Sequence, residues 1–199
     1  MMIWYPGCQG GHALANVLFG ASSPGGRLPV AFPAEMKQLM DWDIAALDLT
    51  HDLLHGYRYL AQHNQQPQFG FGFGLGYSSF DLDGLQVERD ENLFRITVTV
   101  TNTGQRREAE IVQVYVEVQN SRVFRVPLEL KAFGRIELDP GGSCDLEMEI
   151  SDSDLCFFDQ DSNDWELERC HYLLHVGKSS VDLPLVSEWQ LNDDGWEPV

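Results

Sequence analysis

With 199 residues, 43% of them hydrophobic, the chain is long enough for one large domain or two small ones with a sizeable core. Its 13 basic against 31 acidic side chains give a formal charge of -18, which repels nucleic-acid phosphate and anionic membrane and argues against both as partners. The acid is unevenly spread: residues 1–80 hold 3 basic and 5 acidic side chains and residues 81–199 hold 10 and 26, which marks a boundary near residue 80 and a solvated acidic surface beyond it.

The chain opens on "YPGCQGGHALANVLFG", a turn at Tyr5-Pro6-Gly7 and then helix-forming residues from His12 to Phe19. Leu14, Val17 and Leu18 recur at helical spacing, and Gly20 is a C-terminal stop. Pro24-Gly25-Gly26 is turn chemistry, and Leu28 to Phe32, between two prolines, reads as a short or edge strand. A weakly helical polar stretch fills residues 34 to 66. Next comes "FGFGFGLGYSSF", where alternating Gly and Phe exclude a regular helix, because each interior Gly costs about 1 kcal/mol relative to Ala. Residues 61–84 are therefore expected to connect two regions while laying aromatic rings on a surface.

Beyond Phe80 the period becomes two. Phe94, Ile96, Val98 and Val100 share one face, with Asn102-Thr103-Gly104 as a turn; Val112, Val114, Val116 and Val118 share another. Leu146, Met148 and Ile150 alternate with Asp145, Glu147 and Glu149, and Tyr172, Leu174 and Val176 complete the set. Turn-rich breaks at 138–143 and 159–164 separate these runs. The pattern predicts a mainly β fold, an antiparallel two-sheet sandwich over residues 85–199, preceded by a partial α/β segment over residues 1–60.

Chemistry-bearing motifs are scarce. Cys8, Cys144, Cys156 and Cys170 form no CxxC pair; the spacing allows one disulfide among the last three, with buried free thiols as the expectation. His51 and His55 stand four apart with no third ligand suggested, and His171 and His175 share a strand face. "DQDSNDW" begins like a calcium loop at Asp159, Asp161 and Asn163, but Asp164 replaces the glycine and Cys170 the closing glutamate, so an acidic turn is expected. The Gly70 to Gly76 run lacks the lysine and hydroxyl of a phosphate loop. No catalytic, cofactor-binding or metal-ligating residue is assigned, and no cofactor is expected. Neither an export signal nor an apolar run of about 18 residues is present in the sequence, and localisation stays open.

"WYPGCQGGHALANVLFG", "SPGGRLPVAFP", "GYRYL", "FGFGLGYSSF", "VTVTNTG", "VQVYV", "PLELKAFGRIEL" and "YLLHVG" together resemble, in order, the C-terminal part of glycoside hydrolase family 3, the beta-glucosidase and beta-xylosidase group. The resemblance implies the end of an alpha/beta sandwich domain, a linker, and a fibronectin type III-like domain. It also implies that Met2 to Tyr5 end a parallel strand whose neighbours lie outside the chain, leaving residues 1 to about 60 poorly stabilised or templated by other hydrolase domains. Family members are retaining glycosidases using an aspartate nucleophile and a glutamate acid/base. Both would lie upstream, so the chain alone is expected to be a non-catalytic stabilising module. Family members usually carry a Gln/Glu pair where Cys8 and Gln9 stand, and Glu129 is expected to pair with Lys131 or a neighbour. The alternative is a stand-alone module binding carbohydrate or protein, with Trp165, Trp189 and Trp196 as aromatic candidates; Trp165 is expected in the core and the tail tryptophans on the sandwich edge.

Overall fold

The computed structural model describes residues 1–39, 45–48, 50 and 52–199. The fold is mostly antiparallel β. Helix α1 (Gly10–Leu18) and a six-residue helix α2 (Tyr57–Gln62) precede the strands β1 (Phe80–Asp90), β2 (Leu93–Asn102), β3 (Glu108–Gln119), β4 (Glu129–Leu138) and β5 (Ser143–Ser151). A four-residue helix α3 (Asp152–Leu155) leads to a small hairpin, β6 (Phe157–Asp159) and β7 (Asp164–Glu166). The strands β8 (His171–Gly177), β9 (Leu185–Asn192) and β10 (Gly195–Pro198) complete the chain.

Two sheets enclose the core, one of order β1-β2-β5 and one of order β10-β9-β8-β3-β4. Phe94, Ile96, Val98 and Val100 point inward from β2, Val112, Val114 and Val116 from β3, Met148 and Ile150 from β5, and Tyr172, Leu174 and Val176 from β8. Each set has the period of two that a strand with one buried face requires. β1 begins at Phe80, so the sandwich takes up the last residues of the segment expected to connect the two regions. Its pairing with β2 shifts register between Asp83 and Gln86, where Gly84 adopts φ +60, the conformation of a bulge glycine.

Other expectations are revised. Asn102 is not a turn residue but ends β2 fully buried, with its amide donating to the carbonyls of Arg106 (2.7 Å) and Leu138 (3.0 Å). Its Oδ1 accepts from the Gly104 N–H (3.0 Å) and the Ser78 hydroxyl (2.7 Å), so every bonding position is used. All four cysteines are free, and only Cys170 is buried; Cys144 shares the inward parity of β5 but opens the strand at the margin of the core. Trp165 lies outside the core on the β6–β7 hairpin, which joins neither large sheet. Trp189 is buried, and Trp196 packs edge-on against Phe94 (4.8 Å) and Tyr172 (4.9 Å). Met2 to Tyr5 form no strand, since a parallel strand is held only by neighbours, and Trp4 has φ 44.

Candidate functional site

The outward face of β3 is covered rather than solvated. Gln113 and Tyr115, which alternate with the inward valines, are buried beneath the Phe/Gly run and the start of α2. The Tyr115 hydroxyl donates to Gln113 Oε1 (2.7 Å), and the Gln113 amide donates to the carbonyls of Gly72 (3.1 Å) and Lys178 (2.7 Å). Burial pushes the Tyr115 hydroxyl pKa up, with Tyr57 adding to it. Above this pair the Tyr57 ring stacks on Phe71 at 4.8 Å and meets Tyr115 edge-on at 5.9 Å. The Tyr57 hydroxyl accepts from the Leu130 N–H of β4 at 3.2 Å.

The alternation of Gly with aromatic residues has a steric cause. Gly72 takes φ +78, and a Cβ there would run into the Gln113 amide; one at Gly76 would run into the Glu108 carboxylate. The aromatic residues supply the apolar contact, and the glycines let the backbone approach β3. Leu28 and Phe32 clip the run from its other side: Leu28 N–H donates to Phe73 O, Gly72 N–H to Leu28 O, and Phe32 N–H to Phe69 O, each at 2.8 Å. The expected short strand is thus a pair of contacts, with one isolated bridge at Phe32 and Phe69.

Charged groups close the seam. Glu110, nearly buried, pairs with Arg27, and Glu108 accepts from the Ser23 hydroxyl. Glu129 on β4 holds Arg58 of α2 at 3.2 Å and Lys131 at 3.1 Å, the pairing anticipated from the sequence with a cross-seam partner added. These carboxylates are turned toward the segment they anchor, an arrangement that docks one region on another.

The remaining sequence candidates are dispersed. His51 lies outside the described residues, and His55 is exposed with Nδ1 2.8 Å from the Asp52 carbonyl. His175 Nε2 contacts Glu117 at 3.1 Å. Asp159 accepts from the Ser162 N–H (3.1 Å) and pairs with Arg122 (3.3 Å), and these contacts hold its carboxyl below the usual carboxylate range. Among the described residues no group of three or more His, Cys, Asp or Glu is placed to hold a metal, and no helix is long and apolar enough to cross a membrane. Cys8 and Gln9 are exposed. Sequence reasoning did not find Gln113, Tyr115, Glu108 and Glu110; the signal available was the close-approach glycine pattern, which demands a specific surface beneath it.

Fold and seam define a fibronectin type III-like sandwich carrying a docked helical segment. Residues 1–77 match the glycosyl hydrolase family 3 C-terminal domain, and residues 110–180 match the fibronectin type III-like domain. A beta-glucosidase of Kluyveromyces marxianus is 33% identical over 96% of the chain and 23% of its own length, and one of Rhizobium radiobacter is 36% identical over 92% and 24%. An exo-alpha-(1->6)-L-arabinopyranosidase of Bifidobacterium longum is 33% identical over 96% of the chain and 26% of its length. Among solved structures, beta-glucosidase 3B of Thermotoga neapolitana in complex with alpha-D-glucose superposes over 100% of the chain and 28% of its own, with a TM-score of 0.88 and 29% identity. The chain belongs to glycoside hydrolase family 3 and corresponds to the C-terminal portion of these relatives, spanning about a quarter of their length.

Proposed function

We propose that the chain serves as the C-terminal stabilising portion of a beta-glucosidase-like hydrolase, the sandwich anchoring residues 1–60 through the segment 61–84 so that they complete an alpha/beta domain. The observation that carries this reading is the apolar surface left around α1: Met2, Ile3, Trp4 and Tyr5 before the helix and Leu18 and Phe19 at its end are all exposed, in a region whose later residues are pinned to the sandwich. So many large apolar side chains exposed within one short segment expect cover. Hydrolase domains encoded upstream or in a separate chain are the proposed cover, and hydrolysis of O-glycosyl bonds is the proposed activity of the whole.

The carboxylates of the seam are committed to docking, so the proposal assigns them no part in bond cleavage. Relatives named for different sugars share the same 33% identity with the chain, so the choice of sugar is assigned to the rest of the hydrolase. A chimera tests the proposal: this chain replaces the corresponding C-terminal quarter of the Rhizobium radiobacter beta-glucosidase. Hydrolysis of a chromogenic beta-glucoside at a substantial fraction of the parental rate is expected. A folded chimera without activity, where the parental quarter restores it, would overturn the reading.

A further inference from the structure

The β6–β7 hairpin is inverted relative to an ordinary surface hairpin. Its register pairs Phe157 with Glu166, Phe158 with Trp165, and Asp159 with Asp164. Because successive residues of a strand face opposite ways, Phe158 and Trp165 share one face and the flanking pairs share the other. The charged face is the one that is held: Arg122 binds Glu166 at 2.6 Å and Asp159 at 3.3 Å, and lies 5.0 Å over the Phe157 ring. Arg125 lies 5.6 Å from the same ring and donates to the Leu155 carbonyl at 2.9 Å. The aromatic face is outward, with Phe158 46% and Trp165 66% exposed. A slip of one residue would put the two rings on opposite faces, so their shared outward face depends on the register and orientation that the arginine pairs hold.

The two rings are also set relative to each other, edge to face with centroids 5.7 Å apart, beside a concavity of about 310 Å³ lined by Ser153, Cys156 and Trp165. From this rigid aromatic platform we infer a binding site for a neutral glycan, a pyranose ring laying its C–H face on Trp165 while its hydroxyls donate to the acceptors at the rim. Ser153, on the wall of that concavity, supplies a hydroxyl, and Asp161, exposed in the turn between the two strands, a carboxylate. The charge of Asp161, within a chain of formal charge -18, opposes a nucleic-acid base on the rings, and the net charge opposes a second copy of the chain. Size opposes a large protein interface: two aromatic side chains at these exposures offer on the order of 250 Å², against the about 800 Å² per partner of a stable protein complex. One or two sugar rings match that area.

Affinity electrophoresis of the full chain in native gels containing soluble mixed-linkage beta-glucan, with an alpha-glucan gel in parallel, tests the assignment. The choice of a beta-glucan rests on the hydrolase reading; the assignment of a glycan rests on the platform alone. Retardation of the wild-type chain is expected, with the apparent affinity falling at least tenfold in Trp165→Ala and mostly kept in Trp165→Phe, while the thermal midpoint stays unchanged. Retardation on the alpha-glucan gel alone, lost in Trp165→Ala, supports the platform and removes only the link to beta-glucosides. Equal retardation of wild type and Trp165→Ala, or none for the wild type on either gel, overturns the inference.

Discussion

Phe94, Ile96, Val98 and Val100 are wholly shielded by residues of the same chain, whereas Trp4, Tyr5, Leu18 and Phe19 stand exposed on it. Both sets are large and apolar, so the hydrophobic effect acts on them alike. What differs is the source of their neighbours. An antiparallel strand acquires partners from the next hairpin or a short return, and β2 finds β1 and β5 within 60 residues of sequence on either side. A parallel strand and its helix need crossover units on both flanks, so an alpha/beta segment is complete only as part of a larger sheet. The first region is consequently held by its attachment to the second, through the seam on β3.

The largest effect should come from truncating the second region's core. Phe94→Ala removes a fully buried ring that packs on Trp189 and Trp196, and should cost about 3–5 kcal/mol in urea unfolding of the chain. Phe19→Ala, the matching truncation on α1's exposed end, should change the same measurement by no more than about 0.5 kcal/mol. Equal costs would erase the distinction between the regions.

Alkaline pH should act on the sandwich next most strongly. Burial raises the hydroxyl pKa of Tyr115 and of Tyr172 above the ordinary value. In the unfolded chain both ionise near pH ~10, so above that pH the folded state binds more protons and stability declines with rising pH. The loss begins at about pH 10 and runs at about 1.4 kcal/mol per pH unit for each tyrosine up to the folded values. Tyrosinate absorbance should therefore show a step coincident with loss of the near-ultraviolet circular dichroism signal. A titration completed while that signal persists would contradict the burial of both rings.

A smaller and local effect belongs to the seam. Gly72→Ala puts a side chain in the left-handed region and against the Gln113 amide, a change of about 1–3 kcal/mol. Because Gly72 lies outside the sheets, limited proteolysis should cut residues 61–78 first while the sandwich keeps its unfolding midpoint. Cleavage unchanged from wild type would mean that the Phe/Gly run is not what fastens the first region.

The alternation of β2, β5 and β8 was legible in the sequence because a strand with one buried face writes its environment into every second residue. β3 was only half legible. "VQVYV" shows the inward valines, but nothing local reveals that Gln113 and Tyr115 between them are covered by residues some 40 positions earlier. Asn102 misled for a related reason: Asn-Thr-Gly is turn chemistry by composition, while its four hydrogen bonds come from three separated segments. Trp165 is expected in the core as a strand residue, yet it stands exposed. The hairpin's orientation depends on Arg122, more than 30 residues upstream, and such long-range ion pairs leave no periodic trace.

The finest test of the seam concerns Glu129, which binds one cation from its own strand and one from α2. Lys131 sits on β4 with it, so Lys131→Ala alters the sandwich surface alone, whereas Arg58 reaches from the first region, so Arg58→Ala removes a contact between the regions. All three side chains are partly exposed, which limits each pair to about 0.5–1 kcal/mol and makes it sensitive to salt. A double-mutant cycle between Arg58 and Glu129, read by the protease susceptibility of residues 52–66, should give a coupling of about 0.5 kcal/mol that shrinks at high salt. The same cycle read by the unfolding midpoint of the sandwich should give none, because β4 keeps its hydrogen bonds to β3 with or without the pair. A coupling of zero in the first readout would leave the stack of Tyr57 on Phe71 and Tyr115 as the force that seats α2. A coupling in both would mean that the two regions unfold as one, and the contrast between them would then be a contrast of surface rather than of stability.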